Sequence, residues 1–200
     1  MLNAMSSNLA KLLSTVFNPL LNSTYAFLLL VGTTDIELAV RRKLAIFCIA
    51  ILFSTVVPIA HVAWLKRRGA IESLDVDQRQ RRLWPLIVGI LSYAAGYLIL
   101  AGMQAPLVVV GLMFCYATNT LLVACITRWW KVSIHATGIA GPVVALIFQF
   151  GWPAVPLYAL VPLVAQARVV LGKHTTWQVV VGACIGTLLT AIQLHYLFHI

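Results

Sequence analysis

Residues 44–65 read LAIFCIAILFSTVVPIAHVAWL, with Arg41-Arg42-Lys43 before them and Lys66-Arg67-Arg68 after. No Lys, Arg, Asp or Glu interrupts the run. About 20 apolar residues in a helix cross a hydrocarbon core of about 30 Å. A run of this length closed by cations at both ends predicts a transmembrane helix. The rest of the chain has the same texture. Of its 200 residues 62% are hydrophobic and 10% charged, and the mean hydropathy is +0.96. Too few charges are present to cover a soluble domain of that size, so an integral membrane protein is expected.

Working outward, further apolar runs occupy residues 83–101, 106–127, 136–150, 153–171 and 177–198. The fourth and fifth of the six spans are separated by Gly151-Trp152-Pro153, which predicts a tight helical hairpin. Residues 12–32 are also apolar, but Asn18-Pro19 and Asn22-Ser23 interrupt them. They read either as a seventh span or as a helix in the interface. The expected fold is an all-α polytopic membrane bundle of six core helices with an N-terminal apolar segment. One domain is expected over 1–200, divided into that segment at 1–43 and the core at 44–200. Gly182 and Gly186 on the last span form a GxxxG pair suited to close helix contact.

The net charge of +9 comes from 14 Lys and Arg against five acids. These cations lie in short loops between apolar runs, where they meet lipid headgroups and set orientation, so membrane lipids rather than nucleic acid are the expected partner. Cys48, Cys115, Cys125 and Cys184 fall within apolar runs without a CxxC pair and read as small buried hydrophobes. The opening MLNAMSSNLAKLLSTVF lacks the charged and apolar regions of a cleavable signal peptide. His61, His195 and His199 read as structural. The sequence is silent on oligomeric state.

Counting spans places the loops 66–82, 128–135 and 172–176 on one face of the membrane. The uncharged connections 102–105 and 151–152 open on the other. Polar chemistry therefore gathers at one end, in Asp75–Pro85 (DVDQRQRRLWP), Lys131–Gly138 (KVSIHATG) and Ala167–Gln178 (ARVVLGKHTTWQ). Two histidines with several cations at helix ends suggest a phosphate site. Guanidinium groups grip phosphoryl oxygens in pairs, and helix N-termini offer unpaired N–H groups. One imidazole can attack phosphorus while another protonates the leaving oxygen. No His/Asp/Glu set with metal-ligand spacing stands out, and neither a metal nor a cofactor is expected.

These residues resemble the type 2 phosphatidic acid phosphatase superfamily, whose relatives include lipid phosphatases, glucose-6-phosphatase and vanadium haloperoxidases. Its pattern runs Lys, six residues, Arg-Pro; then Pro-Ser-Gly-His; then Ser-Arg, five residues, His, three residues, Asp. Arg168 and His174 have the spacing of the third part, with Ala167 in the Ser place and Gln178 in the Asp place. Ser133 and His135 match the second, with Val132 and Ile134 replacing Pro and Gly. For the first, Arg79, Arg81 and Arg82 precede Pro85, but no Lys is correctly spaced. The likeness rests on the later part of the chain, from about Arg128 onward.

The resemblance implies a metal-independent lipid phosphate phosphatase. His174 would be the nucleophile, His135 the general acid, and Gln178 the partner of the nucleophile. Arg168, Arg82 and Arg79 would hold the phosphoryl oxygens, assisted by Ser133 and Lys131. A glutamine carbonyl fixes the tautomer that an aspartate would, without the full charge. Glu72, Asp75 or Asp77 on the same face are acids that could reach the site instead. The expected substrate is an isoprenoid phosphate or diphosphate, because a small chain without a polar domain has little with which to read an elaborate headgroup. Phosphoryl transfer to an alcohol, and a non-catalytic scaffold on a degenerate phosphatase core, are the competing readings. Asp75 and Asp77 also resemble half of a prenyltransferase acidic motif, but no second acidic cluster accompanies them. Lys66, Arg67, Arg68, Arg81 and Arg128 on the active face outnumber Arg41, Arg42 and Lys43 opposite, which points that face to the cytoplasm of a cell-membrane protein.

Overall fold

The computed structural model describes residues 5–34, 39–76 and 78–200. Among them no strand occurs, and the elements are helical. In chain order they are α1 (Ser7–Val16), α2 (Pro19–Thr33), α3 (Val40–Arg67), α4 (Leu83–Gly102), α5 (Leu107–Thr127), α6 (Ile134–Phe150), α7 (Leu160–Val170) and α8 (Thr176–Leu197). A single 3-10 turn, Arg79–Arg81, leads into α4, and a longer one, Trp152–Ala159, leads into α7.

Five helical stretches are long and apolar enough to cross a membrane. The count is six if α1 and α2, bent by 52°, form one broken span. Asn18 and Pro19 make that bend. The Asn18 side chain accepts from Leu20 N–H, and proline at the first helical position starts α2 cleanly. The expected fourth span is realised in α6, which at 17 residues is shorter than any of those five stretches. Neighbours explain why that is tolerated: α2, α5, α7 and α8 all pack on α6, and most of its side chains are buried. Its length answers to protein rather than to lipid.

Prolines inside two helices shape the packing. Pro142 in α6 lacks an N–H, so the Gly138 carbonyl one turn earlier loses its helical donor. The Asn22 side chain on α2 donates to that oxygen at 3.3 Å. This bond accounts for a buried asparagine in an apolar segment. In α3 the turn before Pro58 widens to a π-helix at Leu52–Val56. There Ser92 of α4 donates to the Phe53 carbonyl at 2.6 Å. In both places a neighbouring helix satisfies what proline frees, as a dry interior requires.

α6 and α8 meet through the GxxxG pair. A Cβ at Gly182 would lie 2.6 Å from the Ser133 carbonyl, and one at Gly186 2.6 Å from that of Thr137. The hairpin between α6 and α7 turns at Gly151, whose φ of +66° suits glycine. Phe27, Leu30, Ile46, Leu100, Leu112 and Met113 fill the centre. Cys115 is buried there, but Cys48, Cys125 and Cys184 lie exposed on helix surfaces, correcting the expectation that all four are interior. In a membrane such positions face lipid at no cost to a weakly polar thiol.

The three polar loops do meet at one end of the bundle. Arg82 reaches the Val132 carbonyl, Lys131 that of Lys173, and Arg168 the side chain of Asp75. At the other end, Arg42 donates to the carbonyls of Met103 and Gln104 in the uncharged α4–α5 turn.

Candidate active site

The site is assembled by the starts of α6 and α8. Ser133 caps α6, its Oγ accepting from Ala136 N–H at 3.3 Å. Its own N–H donates to the Gln178 carbonyl at 3.1 Å, which ties the two helix starts together. Ser133 is fully buried and spends its polar atoms on this joint. His135 follows on the first turn of α6, and His174 precedes α8 by two residues.

Both imidazoles line one cavity of about 800 Å³, a volume that includes its open mouth. Asp75 and Arg82 share its polar end. Pro58, Val62, Leu74, Pro85 and Leu86 give the remainder an apolar wall. Ligand pockets are commonly of this kind, mostly apolar with a few convergent polar groups. His135 is buried, and its Nε2 has no hydrogen-bond partner among the described residues. The charged groups that act on it are Arg168, Asp75 and Arg82. A second, deeper cavity shares Leu86, Tyr93 and Ile134 with the first and continues toward Asn119 and Thr190 in the middle of the bundle.

Gln178 has a decisive local geometry. It is the third residue of α8, and Thr175 is the cap. Each side chain bonds the other's backbone, Gln178 N–H to Thr175 Oγ1 at 3.4 Å and Thr175 N–H to Gln178 Oε1 at 3.3 Å. This capping box fixes which end of the amide is oxygen, since a backbone donor points at it. The same Oε1 lies 3.0 Å from His174 Nδ1. An amide oxygen only accepts, so Nδ1 carries the hydrogen and Nε2 keeps its lone pair.

His174 is held neutral. Its pKa falls to about 3, first through burial and next through the Arg82 guanidinium, with Lys131 and Arg168 adding to the effect. The bond to Gln178 opposes the shift. Neutral imidazole is the nucleophilic form.

Arg82 and Arg168 are both buried. Arg82 Nε donates to the Val76 carbonyl at 2.7 Å and Nη1 to that of Val132 at 3.1 Å. Arg168 Nη1 pairs with Asp75 Oδ2 at 2.8 Å and donates to Ser14 Oγ on α1 at 2.6 Å. Its Nε is buried without a partner among the described residues. Arg168 itself is not part of the cavity wall, whereas Asp75 is.

Two expected residues stand elsewhere. Arg79 donates to the carbonyls of Thr127 and Arg128 at the end of α5 and lines a separate surface pocket with Gln80 and Leu83. Lys131 braces the loops, its Nζ donating to the Lys173 carbonyl at 2.9 Å, and touches the site through its charge. Of the three acids considered, Asp75 reaches Arg168 rather than His174, Glu72 bonds Gln78, and Asp77 lies outside the described residues. Ser14 was not anticipated, and nothing in α1 marks it. A signal for Asp75 did exist: it precedes Arg82 by seven positions, the separation between Lys and Arg in the pattern quoted above. Among the described residues no group of three or more His, Cys, Asp or Glu side chains converges. Comparison with known proteins gives no matching family, curated protein or solved structure.

Proposed function

We propose that this chain is a membrane-embedded phosphatase acting on a lipid phosphate or diphosphate through a phosphohistidine. One observation carries the reading. His174, with its tautomer set by Gln178, lines the same cavity as His135 and Arg82, and that cavity runs from cations into an apolar wall. The polar end suits a phosphoryl group, and the greasy remainder suits a slender chain such as an isoprenoid.

In the first step His174 Nε2 attacks phosphorus as the ester P–O bond breaks, and His135 gives its proton to the leaving oxygen. In the second, water attacks phosphorus, the P–N bond breaks, and His135 takes the water's proton. The bound phosphoryl group brings the negative charge that an imidazolium at position 135 pairs with. Charge on the equatorial oxygens falls to Arg82, which lines the cavity, and to Arg168 once its bond to Asp75 gives way. The step needs neither metal nor cofactor. Ser133 and Lys131 serve as braces that hold the histidine-bearing loops together, and Arg79 has no part in it.

The same reading takes the chain as one integral membrane domain of the cell membrane, with α3, α4, α5, α6, α7 and α8 as its core. The catalytic end faces the cytoplasm, where cysteines placed at Arg67 and at Gly151 would label from opposite sides. Release of inorganic phosphate from polyprenyl phosphates, polyprenyl diphosphates and phosphatidate, by wild type beside His174→Ala, tests the activity. Wild type is expected to release phosphate from at least one of them and His174→Ala from none. Silence from wild type across the panel would sink the proposal and favour a non-catalytic scaffold.

A further inference from the structure

Leu74, Asp75 and Val76 form a strap over the polar end of the cavity, and its grip falls on both buried arginines. The Asp75 carboxylate sits 2.8 Å from Arg168 Nη1. That is where an oxygen of a bound anion would accept from this guanidinium. The next residue offers its carbonyl to Arg82 Nε at 2.7 Å. Val76 does so with φ +47°, a left-handed backbone that a β-branched residue adopts only when its surroundings impose it. Leu74, more than half exposed, contributes to the apolar lining of the cavity. Arg168 is 2% exposed at its side chain and Asp75 28%, so the carboxylate is the solvent-accessible half of the pair.

We propose that Asp75 is a specificity-determining residue: its carboxylate is a tethered occupant of the anion seat on Arg168, which a lipid's phosphoryl group must displace. The proposal rests on the phosphatase reading and adds the means by which lipid phosphates are preferred over free phosphate. Exchanging one anion for another on the same guanidinium gains little, since both make charge-assisted bonds. The surplus must come from elsewhere. A ligand with a chain supplies it by burying apolar surface against Pro58, Val62 and Leu86. Inorganic phosphate has no chain and meets Asp75 as an equal competitor that is covalently attached and always present. A ligand that takes Arg82 as well would also compete with the Val76 carbonyl for its Nε.

The test is calorimetric titration of the purified full chain with inorganic phosphate, for wild type, Asp75→Asn and Asp75→Ser. Each variant's melting temperature is checked, and phosphate release from a polyprenyl phosphate is assayed in parallel. The two variants are expected to bind inorganic phosphate at least about tenfold more tightly than wild type, because a neutral side chain no longer competes for the guanidinium. Their preference for lipid over inorganic phosphate shrinks accordingly. A merely structural Asp75 would give the opposite sign, since losing the support of Arg168 weakens anion binding. Unchanged or weaker phosphate binding by the folded variants would overturn the proposal, whatever the lipid assay gives. Failure of every form in the lipid assay, with tighter phosphate binding in the variants, would uphold the anion seat and its occupant while removing the phosphatase reading.

Discussion

Gln178→Glu should make this site faster. Glutamate matches glutamine in length, so one of its oxygens can keep the 3.0 Å contact to His174 Nδ1 and the 3.3 Å contact from Thr175 N–H. Aspartate, shorter by a methylene, would have to draw the ring toward it. What changes is charge. When Nε2 attacks phosphorus the ring becomes cationic, and the Nδ1–H bond to an amide oxygen becomes one to a carboxylate. Neutral hydrogen bonds contribute about 0.5–1.5 kcal/mol and those to charged groups about 1.5–3 kcal/mol, a difference of roughly 1–1.5 kcal/mol. At about 1.4 kcal/mol per factor of ten, phosphoryl transfer to His174 should accelerate about tenfold. The charge is also welcome where it lands. Arg82, Lys131 and Arg168 all act on His174, and an acid in the first turn of α8 favours the helix by about 0.3–1 kcal/mol. Rapid alkaline quench of a single turnover, which preserves a phosphohistidine, is the appropriate assay, because steady-state rates report chain release if that is slower. An unchanged or slower transfer step in a protein that melts no lower than wild type would refute the reasoning.

Three further outcomes follow from the same geometry. In Arg168→Met, Asp75 and Ser14 lose their shared partner. Partial exposure of Asp75 moderates the loss, which should be about 2 kcal/mol in detergent unfolding, with turnover falling about 100-fold or more. Gly182→Ala drives a methyl against the Ser133 carbonyl. Separating α6 from α8 there should cost about 1–3 kcal/mol and slow turnover by loosening the two histidines. For pH, the lowered pKa of His174 means that the folded chain binds fewer protons than the unfolded chain between the ordinary histidine value and about 3. The contribution of this residue to stability is therefore complete above the ordinary value and is lost as pH falls toward 3. Correspondingly, the acid limb of kcat/KM due to the nucleophile should lie well below pH 6.5 and move upward in Gln178→Glu.

The helices were legible because composition and run length leave a chain this apolar few choices. The runs beginning near residues 44, 83, 107 and 177 all became helices within a few residues of the expected ends. The shortness of α6 was also visible in the sequence. Its consequence was not, because tolerance of a short helix depends on which neighbours surround it. The buried Asn22 became intelligible only when Gly138, 116 positions away, was seen to lack a donor. Convergence of His135 and His174 followed from counting spans, a topological argument that needs no coordinates. Choosing among the arginines did not follow. Arg79 and Arg82, three apart on a 3-10 turn, share a face, and both reach the 128–135 connection. They meet its opposite ends, and only Arg82 stands beside the cavity. Spacing alone treats the two alike.

The most direct measurement is to quench the full chain during turnover of a 32P-labelled polyprenyl phosphate and locate any label held by protein. The account expects an acid-labile, base-stable phosphoryl group on His174, absent from His174→Ala. No trapped label in a preparation that releases phosphate, or label that persists in His174→Ala, would contradict it.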